Sequence, residues 1–239
     1  MQTNLIKSYI SVNTFHLNTL VPLIKWKILR LQLLKELANY HGKINTFRKI
    51  LIRLENNGIV KSFIEPMNKS KYVYLTKTGA SLVGQTSFKE LSNEILYHDS
   101  KVVEITRELL KLKSINKVEL EHEICSLDTL IPDAILSGSK NNINFNLAFE
   151  LEITQKSKQR IIEKVRDYLN AVEFDYVLYV FCSEAILKNY TKTINEKIGE
   201  KVWQKIIFLY VPSILNGETK LENTKCYFNN QEVEIKNVL

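Results

Sequence analysis

The chain has 239 residues, of which 45% are hydrophobic and 25% are charged, and its net charge is +7. These proportions are typical of a globular protein with a sizeable core, and the 7 glycines and 4 prolines exclude long low-complexity linkers. No signal sequence opens the chain and no apolar run approaches the roughly 18 residues of a membrane span, so we expect a cytoplasmic protein. The three cysteines are scattered and form no Cys-x-x-Cys pair, which predicts reduced thiols and no zinc site: Cys125, Cys182 and Cys226.

The basic charge is concentrated in the first half of the chain. Residues 1–97 contain 14 Lys or Arg against 5 Asp or Glu, whereas residues 98–239 contain 19 against 21. We therefore expect a module that meets phosphate groups, followed by a module of another kind. The predicted division is an arm over residues 1–20, a first domain over residues 21–95 and a second domain over residues 96–239.

The first domain has the pattern of helix, turn, helix, hairpin and helix. Apolar residues recur at helical spacing in the two long segments, and Asn57-Gly58 is a strong stop for the second of them. The predicted ranges are 22–41 and 46–56 for these helices, 59–75 for the hairpin with its polar tip at 66–70, and 80–83 for the last helix.

This order, together with the runs Leu54–Val60 and Tyr74–Gly79, resembles the winged helix-turn-helix family. In that family the second helix enters the DNA major groove and the hairpin wing touches the neighbouring backbone. The resemblance implies base or phosphate contacts from the outward polar residues of the second helix: Asn45, Thr46, Arg48, Lys49 and Arg53. It also implies contacts to the DNA backbone from Lys69 and Lys71 on the wing. A winged module that binds another protein is the alternative.

The second half begins with a helix near His98 and then mixes strands with helices. An alternating stretch precedes two strands joined by a turn-rich linker, and further helices alternate with strongly apolar strands. The predicted strands are 118–124, 131–136, 145–154, 176–182 and 205–211, the linker is 137–142, the helices are 161–172 and 184–204, and a small strand pair follows Pro212.

Three carboxylates are expected to meet on two neighbouring strands of this domain. Glu150 and Glu152 alternate with apolar residues, so both point to one face of their strand. Asp133 lies on the preceding strand, and pairing of the two strands would bring it close to the glutamates. Clustered negative charges are costly without a countercharge, and a divalent cation such as Mg²⁺ commonly supplies it. The alternative is an ordinary strand with a solvated acidic face.

Pro132-Asp133 and Glu150-Leu151-Glu152 resemble the Pro-Asp…(Asp/Glu)-x-Lys motif of the restriction-endonuclease core. One position departs from the motif, because Glu152 stands where the family has its lysine. Some members supply that lysine from the following helix, which makes Lys158 the best candidate, with Lys156 and Lys164 as substitutes. The resemblance implies the catalytic set Asp133, Glu150, Glu152 and Lys158, and a site for Mg²⁺ or Mn²⁺ formed by the three acids with Glu121 as an additional ligand. The expected fold class is α/β (α+β overall), with a winged helix-turn-helix domain followed by an endonuclease-like domain with a mixed sheet.

The winged helix followed by the run Phe149–Arg160 resembles the replication-relaxation family, and in particular the MobC-type plasmid relaxases. This resemblance implies metal-dependent nicking of one DNA strand at a transfer origin, together with an accessory mobilisation protein and a coupling protein. A non-cleaving replication initiator or transcriptional repressor is the alternative.

The histidines and tyrosines point to no other chemistry. The paired-histidine metal site of more familiar relaxases has no counterpart, because the four histidines are scattered: His16, His41, His98 and His122. Tyr168 is the tyrosine closest in sequence to the acids. Its helical spacing predicts a core position rather than a nucleophile that forms a covalent DNA adduct.

Overall fold

The structure is a computed structural model, and it describes residues 17–85, 93–124, 130–216, 221 and 223–239. Most of the predicted arm, with His16, and the cysteine Cys125 lie outside the described residues. The chain divides into two compact units, Met1–Val103 and Glu104–Leu239. No helix in the described part of the chain is long and apolar enough to cross a membrane.

The first unit contains short helices and a small antiparallel sheet. The sheet has the strand order β1-β3-β2, with the β2–β3 hairpin as its wing. The elements are α1 (Val21–Trp26), β1 (Ile28–Arg30), α2 (Leu31–Leu37), α3 (Ile44–Asn56), β2 (Val60–Ile64), β3 (Lys71–Leu75) and α4 (Lys77–Leu82). Helices α2 and α3 followed by the hairpin give the arrangement of a winged helix-turn-helix module.

The single helix predicted over residues 22–41 is wrong, because the chain leaves the helix at Lys27. That residue has a positive φ of 60°, and Ile28 to Arg30 then pair with β3. Ile28 and Leu29 are completely buried. A continuous apolar run fits a buried helix and a buried strand equally well, so periodicity alone could not separate them.

The start of α4 is joined to the end of α3 by a threonine cap. The Thr76 hydroxyl donates to the carbonyl of Gly58 over 2.6 Å and accepts from the N–H of Gly79 over 3.0 Å. Gly58 ends α3 with a positive φ of 67°, the left-handed conformation that glycine adopts without strain. Gly79 is required for a different reason, because a Cβ atom there would lie 2.0 Å from the carbonyl oxygen of Ile59.

The second unit is a seven-stranded mixed sheet covered by helices. Its strand order is β10-β9-β8-β7-β6-β5-β4. The pairs β6–β7 and β7–β8 are parallel, whereas the other four pairs are antiparallel. The elements are α5 (Asn93–Leu109, which crosses the division between the units), β4 (Ile115–Leu120), β5 (Ala134–Lys140), β6 (Ile143–Glu152), α6 (Lys158–Asn170), β7 (Tyr176–Phe181), α7 (Glu184–Lys197), β8 (Ile206–Tyr210), β9 (Lys225–Phe228), β10 (Gln231–Glu234) and α8 (Ile235–Val238). Short 3₁₀ turns cover Glu121–Glu123, Glu200–Gln204 and Pro212–Asn216.

The predicted fold class is confirmed, since a winged helix-turn-helix arrangement is followed by a large mixed sheet with helices. The hairpin between the two acid-bearing strands is tighter than predicted. Strand β5 continues to Lys140, and only Asn141 and Asn142 form the turn, with positive φ angles of 51° and 64°. Two successive residues with positive φ match the twist of the flanking strands, and asparagine tolerates that conformation well.

Helices α6 and α7 pack together on one face of the central strands. Their apolar residues join those of β7 and β8 in a buried cluster rich in aromatic rings. The cluster includes Ile161, Val165, Tyr168, Tyr179, Phe181, Tyr190, Ile194, Trp203 and Phe208. The candidate acids lie at the edge of this cluster.

Candidate functional site

The ladder between β5 and β6 places Asp133 beside Glu150. Ala134 pairs with Phe149 in antiparallel register, so Asp133, one residue before β5, stands opposite Glu150. The Asp133 Oδ2 atom accepts a hydrogen bond of 2.8 Å from the backbone N–H of Leu151. The strand register and this bond together bring the two acids into one site.

Glu150 and Glu152 point to the face of β6 that the helices cover. Their neighbours on the parallel strand are Tyr179 and Phe181, both members of the aromatic cluster. The two glutamates are only 2% and 3% exposed. The alternative of a solvated acidic face is therefore wrong, because both carboxylates are shielded from solvent.

Two side chains of α6 engage the Glu150 carboxylate. The Lys164 Nζ atom lies 2.6 Å from Oε2, and the Tyr168 hydroxyl donates a short hydrogen bond to Oε1. The lysine side chain is 30% exposed, so it reaches from solvent to the buried acid. The lysine and the tyrosine are four residues apart and share one helix face, which lets each contact a different oxygen.

The surroundings of Glu150 raise its pKa from an ordinary value of 4.5 to about 7. Burial is the main cause, because it penalises the charged carboxylate, and the nearby charge of Asp133 adds to it. The positive charge of Lys164 and the hydrogen bonds from Lys164 and Tyr168 act in the opposite direction. Glu150 is thus a carboxylate that can exchange a proton near neutral pH.

Glu152 is less fully partnered than Glu150. Its Oε2 atom is buried and has no hydrogen-bond partner among the described residues, and the same is true of the Tyr179 hydroxyl. Burial raises the pKa of Glu152, while a hydrogen bond with Tyr190 and the charges of Lys156 and Lys164 lower it. A buried carboxylate oxygen without a partner is costly, so this oxygen is available to a ligand, a water molecule or a proton.

The structure does not bring Lys158 to the acids, and it places Lys164 against Glu150 instead. Lys158 is the first residue of α6 and is exposed. Side chains of a helix lean toward its N-terminus, so Lys158 extends past the helix end, whereas Lys164 reaches back over the preceding turn. Lys156 lies before the helix, where its Nζ atom is 3.5 Å from the Thr154 hydroxyl.

Glu121 lies on the 3₁₀ turn after β4, and its side chain is exposed. Its backbone N–H donates to the Asp133 carbonyl over 3.0 Å, so the turn supports the aspartate through the main chain. Within the described residues, no three side chains of His, Cys, Asp and Glu are grouped so that they could hold a metal ion. The metal site predicted from Asp133, Glu150, Glu152 and Glu121 stays a prediction.

The donor set still fits a hard divalent cation that needs few protein ligands. Mg²⁺ is commonly held by one or two carboxylates, with water and substrate phosphate completing its shell. Asp133 and Glu150 provide such a pair, and their mutual repulsion contributes to the raised pKa of Glu150. The orphaned Glu152 oxygen is a further acceptor nearby.

The five residues expected to contact DNA are all exposed on α3 or at its start: Asn45, Thr46, Arg48, Lys49 and Arg53. The opposite side of the helix is buried through Phe47, Ile50, Leu51 and Leu54. The Arg48 guanidinium donates to the Asn45 side chain over 3.2 Å. An apolar side chain, Ile52, is also 49% exposed on this helix, although the sequence pattern predicts no role for it.

The wing differs from expectation at one of its two lysines. Lys69 is exposed at the tip, whereas Lys71 forms an ion pair of 2.9 Å with Glu55 at the end of α3. Glu55 also accepts a short hydrogen bond from Ser62 on β2. Lys71 therefore ties the wing to the helix in this structure.

A buried glutamate that the sequence did not single out shapes the wing tip. Glu65 is fully buried, and its two carboxylate oxygens accept hydrogen bonds of 3.1 Å from the backbone N–H groups of Met67 and Asn68. Glutamate at a hairpin tip is usually solvated, so no sequence signal pointed to this contact. A signal for Lys164 and Tyr168 did exist, because their spacing from Ile161 and Val165 places them beside the inward face of α6.

No protein-family model matches the chain. No curated protein matches it either. Among solved structures, it is similar to a MarR family transcriptional regulator from Silicibacter pomeroyi, with 20% identity and a TM-score of 0.26 over 46% of this chain and 78% of the regulator. It is also similar to restriction endonuclease FokI bound to DNA, with 13% identity and a TM-score of 0.31 over 85% of this chain and 44% of that one. A second FokI structure gives 12% identity and a TM-score of 0.30, with 85% of this chain and 43% of that chain covered. The chain thus spans less than half of FokI.

Proposed function

We propose that this protein is a DNA-binding endonuclease that uses Mg²⁺ or Mn²⁺ and nicks one strand at a plasmid transfer origin. The observation that carries the proposal is the buried Glu150 carboxylate, held by Lys164 and Tyr168 directly opposite Asp133. Apolar side chains of similar volume would commonly stabilise such a core at least as well as a buried ion pair does. Retaining charge at this position is best explained by chemistry rather than by packing.

In the proposed site, Asp133 and Glu150 would hold the divalent cation, and Glu152 would be the third acid beside it. When bound, the cation would polarise the scissile phosphate and lower the pKa of a water molecule beside it. The positive charge of Lys164 beside the Glu150 carboxylate would offset the negative charge that develops on the phosphoryl oxygens. The Glu152 Oε2 atom, unpartnered among the described residues, accepts the proton of the attacking water.

Tyr168 acts as a positioning residue in this scheme. It is completely buried and its hydroxyl donates to Glu150, so it fixes the rotamer of that carboxylate. Burial and the neighbouring charge of Glu150 raise the pKa of Tyr168 far above its ordinary value. A hydroxyl that is buried and held in its neutral form is a poor nucleophile, which favours attack by water at this site.

The winged unit would supply the DNA register. Its exposed helix face carries arginine, lysine and asparagine side chains, which can contact phosphates and base edges. Charge alone would bind any duplex, so sequence recognition depends on this helix. The choice of a transfer origin, and of an accessory mobilisation protein and a coupling protein as partners, rests on the resemblance to plasmid relaxases.

A non-cleaving replication initiator or repressor is the second candidate. One observation favours it: both Glu150 oxygens already have partners within the chain, so the carboxylate is stabilised without a metal. In such a protein the acidic site would be a structural feature of the second unit. DNA binding would then be the entire activity.

Cleavage of supercoiled plasmid that carries the DNA flanking the protein's own gene separates the two candidates. If the protein is a nuclease, wild type should produce relaxed circles with Mg²⁺ or Mn²⁺ and none with EDTA. Glu150→Ala and Asp133→Ala should produce none under either metal. Both variants should bind duplex as wild type does, and Lys158→Met should cleave normally, which controls for the loss of a lysine. Specific binding with intact plasmid under both metals, also after mobilisation partners are added, would support the non-cleaving candidate.

A further inference from the structure

The tip of the wing presents apolar side chains to solvent in an otherwise basic hairpin. Met67 is 67% exposed and Ile64 is 62% exposed. The exposed cations Lys61 and Lys69 lie on the same hairpin. Its only acid is Glu65, whose side chain is completely buried. The exposed surface of the wing is therefore apolar and positive, which complements a polyanion that also offers apolar surface.

Hydrogen bonds fix the backbone that carries Met67. The Glu65 carboxylate accepts from the N–H groups of Met67 and Asn68, as described above. The Glu65 N–H donates to the Ser70 carbonyl over 2.9 Å, and the Lys69 N–H donates to the Glu65 carbonyl over 3.0 Å. The Asn68 side chain accepts from the Ser70 N–H over 2.9 Å. A tip constrained in this way loses little conformational freedom on binding.

We propose that Met67 is a wedge that the wing inserts into the DNA minor groove, where it partly unstacks one base step. Minor-groove proteins use Met, Ile, Leu, Phe or Pro in this manner, and flanking basic residues hold the adjacent phosphates. Ile64 packs against the sugar edge of the groove, and Lys69 at the tip contacts the adjacent backbone. The inference rests on DNA binding by the first unit, and it is independent of whether the second unit cleaves.

The wedge predicts how the wing contributes to specificity. Unstacking requires the least free energy at flexible pyrimidine–purine steps. The wing would therefore favour such a step at a fixed distance from the bases that α3 contacts. Met67 makes no phosphate contact, so its loss should leave the salt dependence of binding unchanged. Loss of Lys69 should instead make the plot of log association constant against log salt concentration less steep by about one.

The test uses the full-length protein in EDTA and a duplex that wild type enriches from a random-sequence pool. 2-Aminopurine is placed at successive positions of that duplex, and its fluorescence rises where a step is unstacked. Wild type should unstack one step. Met67→Ser should remove that signal and weaken binding by about tenfold, whereas Met67→Leu should retain both. Val172→Ser is the matched control, because Val172 is a 96% exposed apolar residue of the second unit.

Three outcomes would overturn the wedge. Wild-type affinity and unstacking in Met67→Ser would show that the side chain does not enter the stack. Unchanged DNA binding by Met67→Ser, together with a smaller sedimenting species than wild type, would identify the tip as a contact between copies of the chain. A wild-type protein that enriches no duplex would refute DNA binding itself, and with it both the wedge and the proposed function.

Discussion

Replacing Glu150 with glutamine should stabilise the protein at alkaline pH, because the wild type keeps a buried charge there. The pKa of Glu150 is about 7 in the folded chain, against an ordinary value of 4.5, and this value already includes the attraction of Lys164. Ionisation of Glu150 in the folded state lowers the free energy of unfolding by about 3 kcal/mol once the pH exceeds both pKa values. Glutamine keeps an acceptor for the Tyr168 hydroxyl and carries no charge.

The pH dependence of this effect has a defined sign. The folded chain binds the Glu150 proton more tightly than the unfolded chain, so stability falls as the pH rises between the two pKa values. The stabilisation that protonated Glu150 gives to the folded chain is complete below about pH 4.5 and is lost as the pH rises through about 7. The difference in stability between Glu150→Gln and wild type should therefore be small at about pH 5 and largest at about pH 8.

Thermal unfolding of the two proteins at both pH values measures this difference. We expect Glu150→Gln to melt higher at alkaline pH by on the order of 10 °C. Glu232→Gln is the control, because Glu232 is an exposed acid in the same unit whose ion pair with Lys225 contributes little. Mn²⁺ should raise the Tm of wild type and leave that of Glu150→Gln unchanged. A glutamine variant that melts lower than wild type at alkaline pH would refute the claim that the Glu150 charge is a cost to the fold.

Three further substitutions test the parts of the molecule around this site and the wing. Lys164→Met should abolish plasmid nicking and lower the free energy of unfolding by about 3 kcal/mol at alkaline pH, because the buried acid loses its countercharge. Lys158→Met should change neither property. Plasmid nicking and urea unfolding measure the two effects. Glu65→Ala should leave two backbone N–H groups at the wing tip without their acceptor and lower the free energy of unfolding by about 1–3 kcal/mol. DNA binding in a mobility-shift assay should weaken. Unchanged hydrogen exchange at the tip would contradict this prediction. Gly79→Ala should destabilise the first unit, because the added Cβ atom would lie 2.0 Å from a backbone carbonyl oxygen, and an unchanged urea midpoint would refute that contact.

Elements with strong local signals could be predicted from the sequence. Helix α3 begins two residues before its predicted range and ends where predicted, because its apolar residues recur at helical spacing and Asn57-Gly58 stops it. The acid-bearing strand β6 was found from alternation around Glu150 and Glu152. Its burial was not foreseen, because alternation shows which residues share a face but not what covers that face. The cover comes from α6 and α7, which follow later in the chain, so it depends on tertiary packing.

The exchange of Lys158 for Lys164 shows where sequence spacing stops being sufficient. Both residues flank the inward face of α6 on a helical projection, and the choice between them depends on their height along the helix axis. That height is set by tertiary packing, since Ile161, Val165 and Tyr168 anchor the helix in the buried cluster. Lys164, about two turns into the helix, leans back toward the helix N-terminus and reaches Glu150 Oε2 over 2.6 Å. The packing of α6 therefore decides which lysine neutralises Glu150, and the spacing of the lysines alone does not reveal that packing.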